Sequence, residues 1–556
     1  MSRRISPRSS VASLKHEAKR WLHALEAGDA AAVQRLKAAW PDVPEPATLR
    51  TVQQALAREY GYTHWAALRE AVEQMAVDRQ IDAQTRADRL RVLLSHGWTG
   101  EIALARRLLA RHPDLAGESV FTAAAAGAVD VLRDLLAKQP ELVRATDAER
   151  GWTPLLHVAY GRVDAQHAVE TATLLLDHGA DPNAQFDDGW GNPFTAVTGL
   201  IGQGEGNKPA HPQAETLAAL LLSRGADPFD TQALYNTSIV HDDPQWTAWL
   251  WDACVRQGRE SLWFATEGRV LSGPVRVHTM NYLLGNAVSN RHLQRATWLL
   301  AHGADATTLH SYVGRSVHTV ARLAGYTDMV ALLEAQGARA ESLPPRDAVL
   351  AQLLEGENEG ARAALAAQGE LLHDPQLLHA LATRNRAEAV RLLLSLGAAV
   401  DMRDATGATA LHRAAEAGAL EAIDALLSAG ASVDLRERRF QGTPFSWSLH
   451  LGRHAVSTRL AGVTRDVRAL ARSGRTARLR EVLRDDPTLA NHRLEQVPDP
   501  VPLFCLPDDD ALAAEVVTEL LAAGAETEVR NAAGRSPYEE AMFRGMELTA
   551  ARLQAT

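Results

Sequence analysis

The stretch DATGATALHRAAEAGALEAIDALLSAGASVDLR, residues 404–436, is the unit from which the fold of the whole chain can be worked out. Its first four residues favour a turn, because Gly407 tolerates backbone conformations that cost other residues free energy. Thr409 can cap the first N–H groups of a helix that begins near Ala410. Gly418 can end that helix in a left-handed conformation. The unit therefore predicts a hairpin followed by a short helix.

A second short helix follows at once. Leu420, Ile423, Leu426 and Leu427 recur at helical spacing, and Gly430 can close the helix. The apolar stripe on each helix is too small to form a core alone, so the unit must stack against copies of itself. One such unit therefore predicts several.

This 33-residue unit resembles the ankyrin repeat, and weaker copies of it occupy most of the chain on both sides. GWTPLLHVAYG (151–161) keeps the start motif, with Thr153 as the helix cap and Pro154 at the first helical position, where its missing N–H has no cost. Counting degenerate copies, roughly thirteen or fourteen repeats fill residues 83–556. The resemblance implies an all-α ankyrin-repeat solenoid, in which pairs of short helices are joined by hairpin loops.

The first 80 residues do not follow the repeat. Residues 1–10 are predicted to be a basic flexible tail. REYGYTHWAALREAVE (58–73) resembles the end of a short helical module that precedes ankyrin arrays in many bacterial proteins. We expect residues 11–80 to cap the solenoid, which needs a cover at its end; a separate binding module is the alternative. The residue pattern predicts helices at 11–28, 30–40, 48–59 and 64–74.

The most distinctive part of the chain is an irregular, extended region at about residues 186–300. FDDGWGNPFTAVTGLIGQGEGNKPAHPQAETLAALLLSRGADPFDTQALYNT (186–237) starts and ends like an ankyrin repeat, but it carries a predicted flexible loop near residues 202–212. It resembles the FTAxTG…GEG…HP…QALYN stretch of a bacterial ankyrin-repeat family with no assigned biochemical activity. The resemblance implies an enlarged repeat at this place in the array.

The composition restricts the compartment and the partners. The net charge of −10 argues against nucleic acid as the default partner of the whole surface, although residues 1–80 carry a net charge of +3. Two cysteines are too few for a disulfide scaffold or a thiolate zinc site, so we expect a reducing cytoplasm. No apolar run approaches the roughly 18 residues that span a bilayer. We expect a monomer without a membrane span.

Three short motifs could carry chemistry, and a structural role is favoured for each. GQGEG (202–206) lacks the spacing of a phosphate-binding loop. His450 and His454 have the spacing of zinc ligands, but an intervening glycine is expected to break the helix between them. His-Asp-Asp at 241–243, with Cys254 downstream, is more simply a turn that leads into a helix. We therefore expect no enzyme, no cofactor and no metal site.

Three histidines lie near the starts of repeat helices, namely His157, His318 and His412. In ankyrin repeats the histidine of the start motif bonds the backbone of a neighbouring hairpin. The resemblance therefore implies a packing role for all three.

The placement of tryptophans indicates a binding surface. Six of the twelve lie between residues 190 and 298, and Trp152 and Trp190 fall in predicted hairpins, which in ankyrin repeats commonly project into the concave groove. Tryptophan is favoured at binding hot spots because it removes much apolar area from water and keeps a donor. Filling gaps between irregular repeats is the alternative. The residues predicted to bind a partner are Trp152, Trp190, Asn192, Tyr235, Asn236, His241, Trp246, Trp249, Tyr282 and Trp447.

These observations predict a scaffold that binds a protein partner on the concave ankyrin surface. Rigid stacked helices would present the hairpins and the inner helices, so binding would cost little ordering entropy. One alternative is a small-molecule or enzymatic site within residues 186–300. Another is binding of nucleic acid or a membrane surface through the basic N-terminus.

Replacing Trp190 or Trp246 by alanine is expected to weaken partner binding without unfolding the array, because an exposed aromatic side chain stabilises the interface rather than the core. The measurements are the affinity for the partner and the circular dichroism of each variant. Equal losses of stability and of binding would refute a dedicated surface role.

Overall fold

The protein is described by a computed structural model that covers residues 3, 5, 11–41, 43, 47–99, 102–187, 193–268, 271, 273–494 and 500–555. It divides into two compact units. The first unit holds residues 1–272 and 278–290, and the second holds residues 273–277 and 291–556. Both units consist mainly of short paired helices, so the predicted all-α class is confirmed.

The first unit begins with two helical pairs, as predicted. Thr48 caps the third helix by accepting the backbone N–H of Thr51, and His64 caps the fourth by accepting that of Ala67. The fourth helix is longer than predicted because no glycine or proline interrupts the chain between Gln74 and Ala83. The helices are α1 (Val11–Glu26), α2 (Ala30–Ala39), α3 (Leu49–Glu59) and α4 (Trp65–Ala83).

Ion pairs connect this module internally and to the helices that follow. Arg35 donates to Glu17 at 2.7 Å and to Glu59 at 2.6 Å. Arg3, which the sequence places in a flexible tail, pairs with the same two carboxylates. At the far end, Asp78 of α4 accepts two hydrogen bonds of 2.7 Å from the Arg107 guanidinium. Contacts of this last kind are those expected of a cap.

Helix pairs make up the rest of the first unit. First helices pack on first helices, as α7, α9, α11 and α13 do, and second helices pack on second helices, as α8, α10 and α12 do. One short antiparallel ladder pairs β1 (Gln185–Phe186) with β2 (Phe194–Thr195). The helices are α5 (Arg86–Thr99), α6 (Ile102–Arg111), α7 (Val120–Ala125), α8 (Val129–Lys138), α9 (Pro154–Tyr160), α10 (Ala168–Asp177), α11 (Ala196–Ile201), α12 (Ala214–Ser223), α13 (Thr231–Thr237), α14 (Gln245–Arg256) and α15 (Thr279–Ser289).

The second unit repeats the same arrangement. First helices α17, α19, α21, α23 and α25 pack in sequence, and second helices α22, α24 and α26 form a parallel row. The helices are α16 (Leu293–Ala301), α17 (Val317–Ala324), α18 (Thr327–Ala335), α19 (Pro345–Glu355), α20 (Asn358–Ala367), α21 (Pro375–Thr383), α22 (Ala387–Ser395), α23 (Ala410–Ala417), α24 (Leu420–Ser428), α25 (Pro444–His450), α26 (His454–Ala461), α27 (Val467–Arg472), α28 (Thr476–Asp485), α29 (Asp510–Ala522), α30 (Pro537–Phe543) and α31 (Glu547–Gln554).

The unit at 404–436 has the predicted structure. The Asp404 carboxylate accepts the N–H groups of Thr406 and Ala408, which fixes the turn before α23. Gly407 and Gly418 have φ values of 83° and 78°, in the left-handed region expected for both. The apolar face belongs to one continuous core that runs from Val349 to Leu553. Its members from this unit include Leu411, Ala414, Ala415, Ile423 and Leu426.

The start-motif histidines are buried, but only one has the predicted partner. His412 Nε2 lies 3.1 Å from the backbone oxygen of Gly442, in the next hairpin. His157 pairs with the Asp147 carboxylate at 2.8 Å instead, because that carboxylate also binds N–H groups of the hairpin and stands between ring and backbone. His318 pairs with Glu334. The predicted bond to a hairpin backbone was wrong for these two.

Substituting Gly199 in α11 by alanine is expected to destabilise the first unit by about 1–3 kcal/mol, because the added methyl would lie 2.5 Å from the Tyr160 ring. The measurement is thermal unfolding followed by circular dichroism. Gly369→Ala is the matched control, since an added Cβ there meets nothing within 4 Å. An unchanged melting curve for Gly199→Ala would contradict the packing of α11 on α9.

Burial of His412 makes the second unit sensitive to acid. Burial lowers the pKa of His412 from 6.5 to about 4, with the hydrogen bond to Gly442 opposing the shift. As the pH falls, His412 is protonated in the unfolded chain before it is protonated in the folded one. The free energy of unfolding is therefore unaffected by this residue above pH 6.5, and it decreases by up to about 3 kcal/mol as the pH drops towards 4.

We expect His412→Gln to reduce this acid sensitivity, measured as the free energy of unfolding in urea at pH 7 and at pH 4.5. His454→Gln is the control, because His454 is exposed. Identical pH dependence in the wild type and in His412→Gln would show that the ring does not titrate in this way.

Candidate functional site

Several residues predicted to bind a partner lie inside the first unit. Trp152 is only 4% exposed, and its ring centroid lies 4.9 Å from that of Tyr160 and 5.0 Å from that of Phe186. This cluster packs the β1–β2 hairpin against α9, and the Tyr160 hydroxyl also donates to the Thr195 carbonyl. Trp152 therefore contributes to the core here, and its role in partner binding stays a prediction.

Three other predicted residues hold the long loop between α11 and α12. The buried Asn236 amide donates to the Gly202 carbonyl at 3.1 Å. The Tyr235 hydroxyl donates to Glu205 at 2.9 Å, and His241 Nε2 lies 2.8 Å from Asn207 Oδ1. The loop that the sequence indicates as flexible is thus bound to α13 and to the turn after it. These side-chain bonds were not foreseeable from the glycine content of the loop.

A buried arginine completes the attachment of this loop. The Arg162 guanidinium donates to four backbone carbonyls, at distances of 2.7–3.2 Å. Burial lowers the pKa of Arg162 to about 10, so it stays charged at neutral pH. Burial, and then the charge of Arg162, lower the pKa of His211 to about 4. The four acceptors belong to Ala159, Gly161, Gly199 and Pro209.

The tryptophans of α14 face in different directions. Trp246 is 8% exposed and meets Trp249 edge to face at 5.8 Å, whereas Trp251 contacts the buried Trp263. Trp249 is half-buried and lines a cavity of about 340 Å³ beside α12. Tyr282 of α15 is buried. Trp190 and Asn192 lie outside the described residues.

The structure gives little support to catalysis in the region 186–300. Burial raises the pKa of the Cys254 thiol to about 11, so it is protonated at neutral pH and poorly nucleophilic. His450 and His454 of the second unit lie on separate helices, with Gly452 between them. In the part of the chain that is described, no group of three His, Cys, Asp or Glu residues is placed to hold a metal ion. None of the described helices is long and apolar enough to cross a bilayer.

The second unit has an open cavity of about 710 Å³ between its first helices and a hairpin loop. Helices α23, α25 and α27 contribute one wall, and the loop at residues 437–442 contributes the other. The residues that decide its chemistry are Arg436, Phe440, Trp447, Leu451, Arg468 and Arg472. We call this surface the Trp447 groove.

Trp447 is the one predicted binding residue in this groove. It is half-buried, and its ring meets His412 edge to face at 5.2 Å while the Arg413 guanidinium lies 5.6 Å from its centroid. Gly442 allows the ring to lie against the hairpin, because a Cβ there would be 2.8 Å from Trp447 Cδ1. These contacts fix the ring in place and leave part of it accessible.

Phe440 extends from the tip of the hairpin loop and is 68% exposed. The loop beneath it is rigid, because the buried Glu437 carboxylate accepts the N–H groups of Arg439, Phe440 and Gly442 at 2.6–3.1 Å. The exposed Phe440 ring lines the same cavity as Trp447, so the two rings together form an accessible apolar patch. Phe440 was not predicted to bind a partner, because nothing in the neighbouring sequence distinguishes it from a core phenylalanine.

The stretch around the groove is strongly basic. Residues 436–484 hold twelve arginines and three carboxylates, a net charge of +9 in a chain whose total is −10. This local positive charge can be counted from the sequence, but the net charge of the whole chain does not reveal it because the other residues are acidic overall. Inside the groove, Arg436 pairs with the buried Asp466 at 3.0 Å. Arg472 donates to Cys505 Sγ at 3.8 Å.

Comparison with known proteins supports the assignment of the repeat. A model of ankyrin repeats in three copies matches residues 346–437, and a single ankyrin-repeat model matches residues 150–186. No curated protein matches. A crystal structure of an ankyrin repeat domain from Acinetobacter baumannii AYE is 22% identical, covers 33% of this chain and 98% of that one, and has a TM-score of 0.26. The matched segments are ankyrin repeats, and this chain therefore has an all-α ankyrin-repeat fold.

Proposed function

We propose that this protein is an interaction scaffold that binds a segment of a partner protein in the Trp447 groove. Ankyrin repeats are generally protein-interaction modules, and they act through side chains held on a rigid stack. The observation that carries the proposal is that two aromatic rings with accessible area, Trp447 and Phe440, line the same open cavity.

The energetics favour this surface over the tryptophans of the first unit. A side chain contributes binding energy only through area that is still exposed in the free protein, and Phe440 retains most of its area. Burying a phenylalanine is worth roughly 1.5–3 kcal/mol. Trp152, Trp246 and Tyr282 have little area left to lose, so a partner would have to displace their present neighbours. Trp190 and Asn192 remain proposed contacts.

The arrangement also limits the entropic cost of binding. Trp447 is held by His412 and Arg413, and the Phe440 loop is held by Glu437. Side chains and loops that are already ordered lose little freedom when a ligand binds. The groove is therefore preorganised for a partner segment.

Selection from a displayed library of random peptides tests the proposal. Peptides enriched on the full-length protein should bind Trp447→Ala and Phe440→Ala about thirtyfold more weakly, as expected when a hot-spot side chain worth about 2 kcal/mol is removed. Trp249→Ala is the matched control, because Trp249 is also half-buried but lies in the first unit. All three variants should keep the circular dichroism of the folded wild type at the temperature of the binding measurement.

The result that counts against the proposal is equally clear. If the enriched peptides bind the two groove variants as tightly as the wild type, the Trp447 groove is not the binding surface. If only Trp249→Ala weakens the binding of these peptides, the binding surface lies in the first unit.

A further inference from the structure

The charge of this chain is distributed very unevenly. Residues 436–484 have a net charge of +9, so the remainder of the chain has a net charge of −19. The basic stretch forms the hairpin loop beside the groove and then helices α25 to α28. A local excess of positive charge attracts anionic groups and raises their rate of association.

Two of the three carboxylates of this stretch are buried and engaged inside the protein, whereas the third, Glu481, is exposed and pairs with Arg478. Asp466 accepts Arg436 at 3.0 Å on one oxygen and the Thr443 hydroxyl at 2.8 Å on the other, and its side chain is almost fully buried. Glu437 is used by the N–H groups of its own hairpin. These two acids therefore present no charge to a ligand, whereas Arg472 lines the cavity and is exposed.

Arg468 supplies a more specific signal. It lines the groove, and its Nη1 atom is buried without an acceptor among the described residues. A buried donor without a partner is costly, and hydrogen bonds between charged groups are among the strongest in proteins. Nη1 itself is closed to a ligand, but a carboxylate that pairs with the part of the Arg468 guanidinium that lines the groove would gain such an interaction.

From these observations, and resting on the proposed function, we infer that the groove binds an acidic peptide segment that carries an apolar side chain. Carboxylates of the segment pair with Arg468 and Arg472, and its apolar side chain packs between Trp447 and Phe440. The geometry favours a peptide over a nucleic acid. Base stacking needs an accessible ring face, and Arg413 lies over the face of Trp447.

The charge of the rest of the chain supports the same choice. Outside the basic stretch the chain has a net charge of −19, which does not favour a long polyanion as the ligand. A short acidic segment can pair with the arginines of the groove, whose lining also includes Glu416 and the buried, paired Asp466. The ligand is therefore compact, acidic and partly apolar.

Fluorescence anisotropy on the full-length chain tests the inference. The probes are a labelled short peptide of Asp and Glu around a central Leu, its counterpart with Asn and Gln, and a short single-stranded oligodeoxynucleotide. The acidic peptide should bind at least about tenfold more tightly than the amide peptide, because charge-assisted hydrogen bonds are lost in the latter. Added KCl should weaken its binding.

Two pairs of substitutions locate the effect. Arg468→Gln with Arg472→Gln should weaken the acidic peptide about tenfold or more. Arg475→Gln with Arg484→Gln changes the net charge by the same amount at exposed positions outside the cavity, and the affinity should stay within about twofold. Arg472→Gln alone changes an exposed position and leaves the half-buried Arg468 intact.

Several results would overturn the inference. Equal affinity for the amide peptide would remove the charge preference, and equal losses in both double variants would assign the effect to the general field rather than to the groove. Tighter binding of the oligodeoxynucleotide would identify a nucleic-acid site. In each case peptides from the random library that depend on Trp447 would still support the scaffold function, whereas their absence would overturn that function as well.

Discussion

The structure depends on one constraint, which is that two short helices cannot bury their apolar faces alone. Each pair must lie against the next, so first helices form one row and second helices form another. Close approach within the row of α21, α23 and α25 needs small residues, and Ala414 and Ala415 supply them. The hairpins then fall at regular intervals along one side of the stack.

Where an extra loop interrupts the rhythm, its backbone polar groups have to be satisfied. In the first unit Arg162 binds four carbonyls, and Asn236 binds the loop at Gly202. The buried Asp230 meanwhile accepts the Thr198 hydroxyl and caps α13. The polar side chains that make this region distinctive in sequence are therefore occupied in holding its own loop. The distinctive sequence of this region is therefore explained first by its structural role.

Local features were predictable from sequence, and tertiary ones were not. The cap at Thr153 and the break at Gly452 depend on neighbouring residues alone, and both are present. Whether a tryptophan is buried depends on the repeat beside it, and Trp152 and Trp447 differ in exposure for this reason. The basic stretch was readable in sequence, but only over a window of about one repeat and a half.

The two units illustrate how an aromatic side chain is divided between stability and binding. Trp152 contacts three rings, and its apolar area is buried in the core. Trp447 is restrained by His412 and Arg413, and part of its apolar area is still exposed to solvent. The ring is therefore ordered and can still bury area against a partner. Tight binding needs both order and exposed apolar area. A disordered ring loses entropy when it binds, and a ring that is already buried has no further area to remove from water. Arginines around such a ring then add selectivity for acidic ligands, since charge discriminates between partners more sharply than apolar area does.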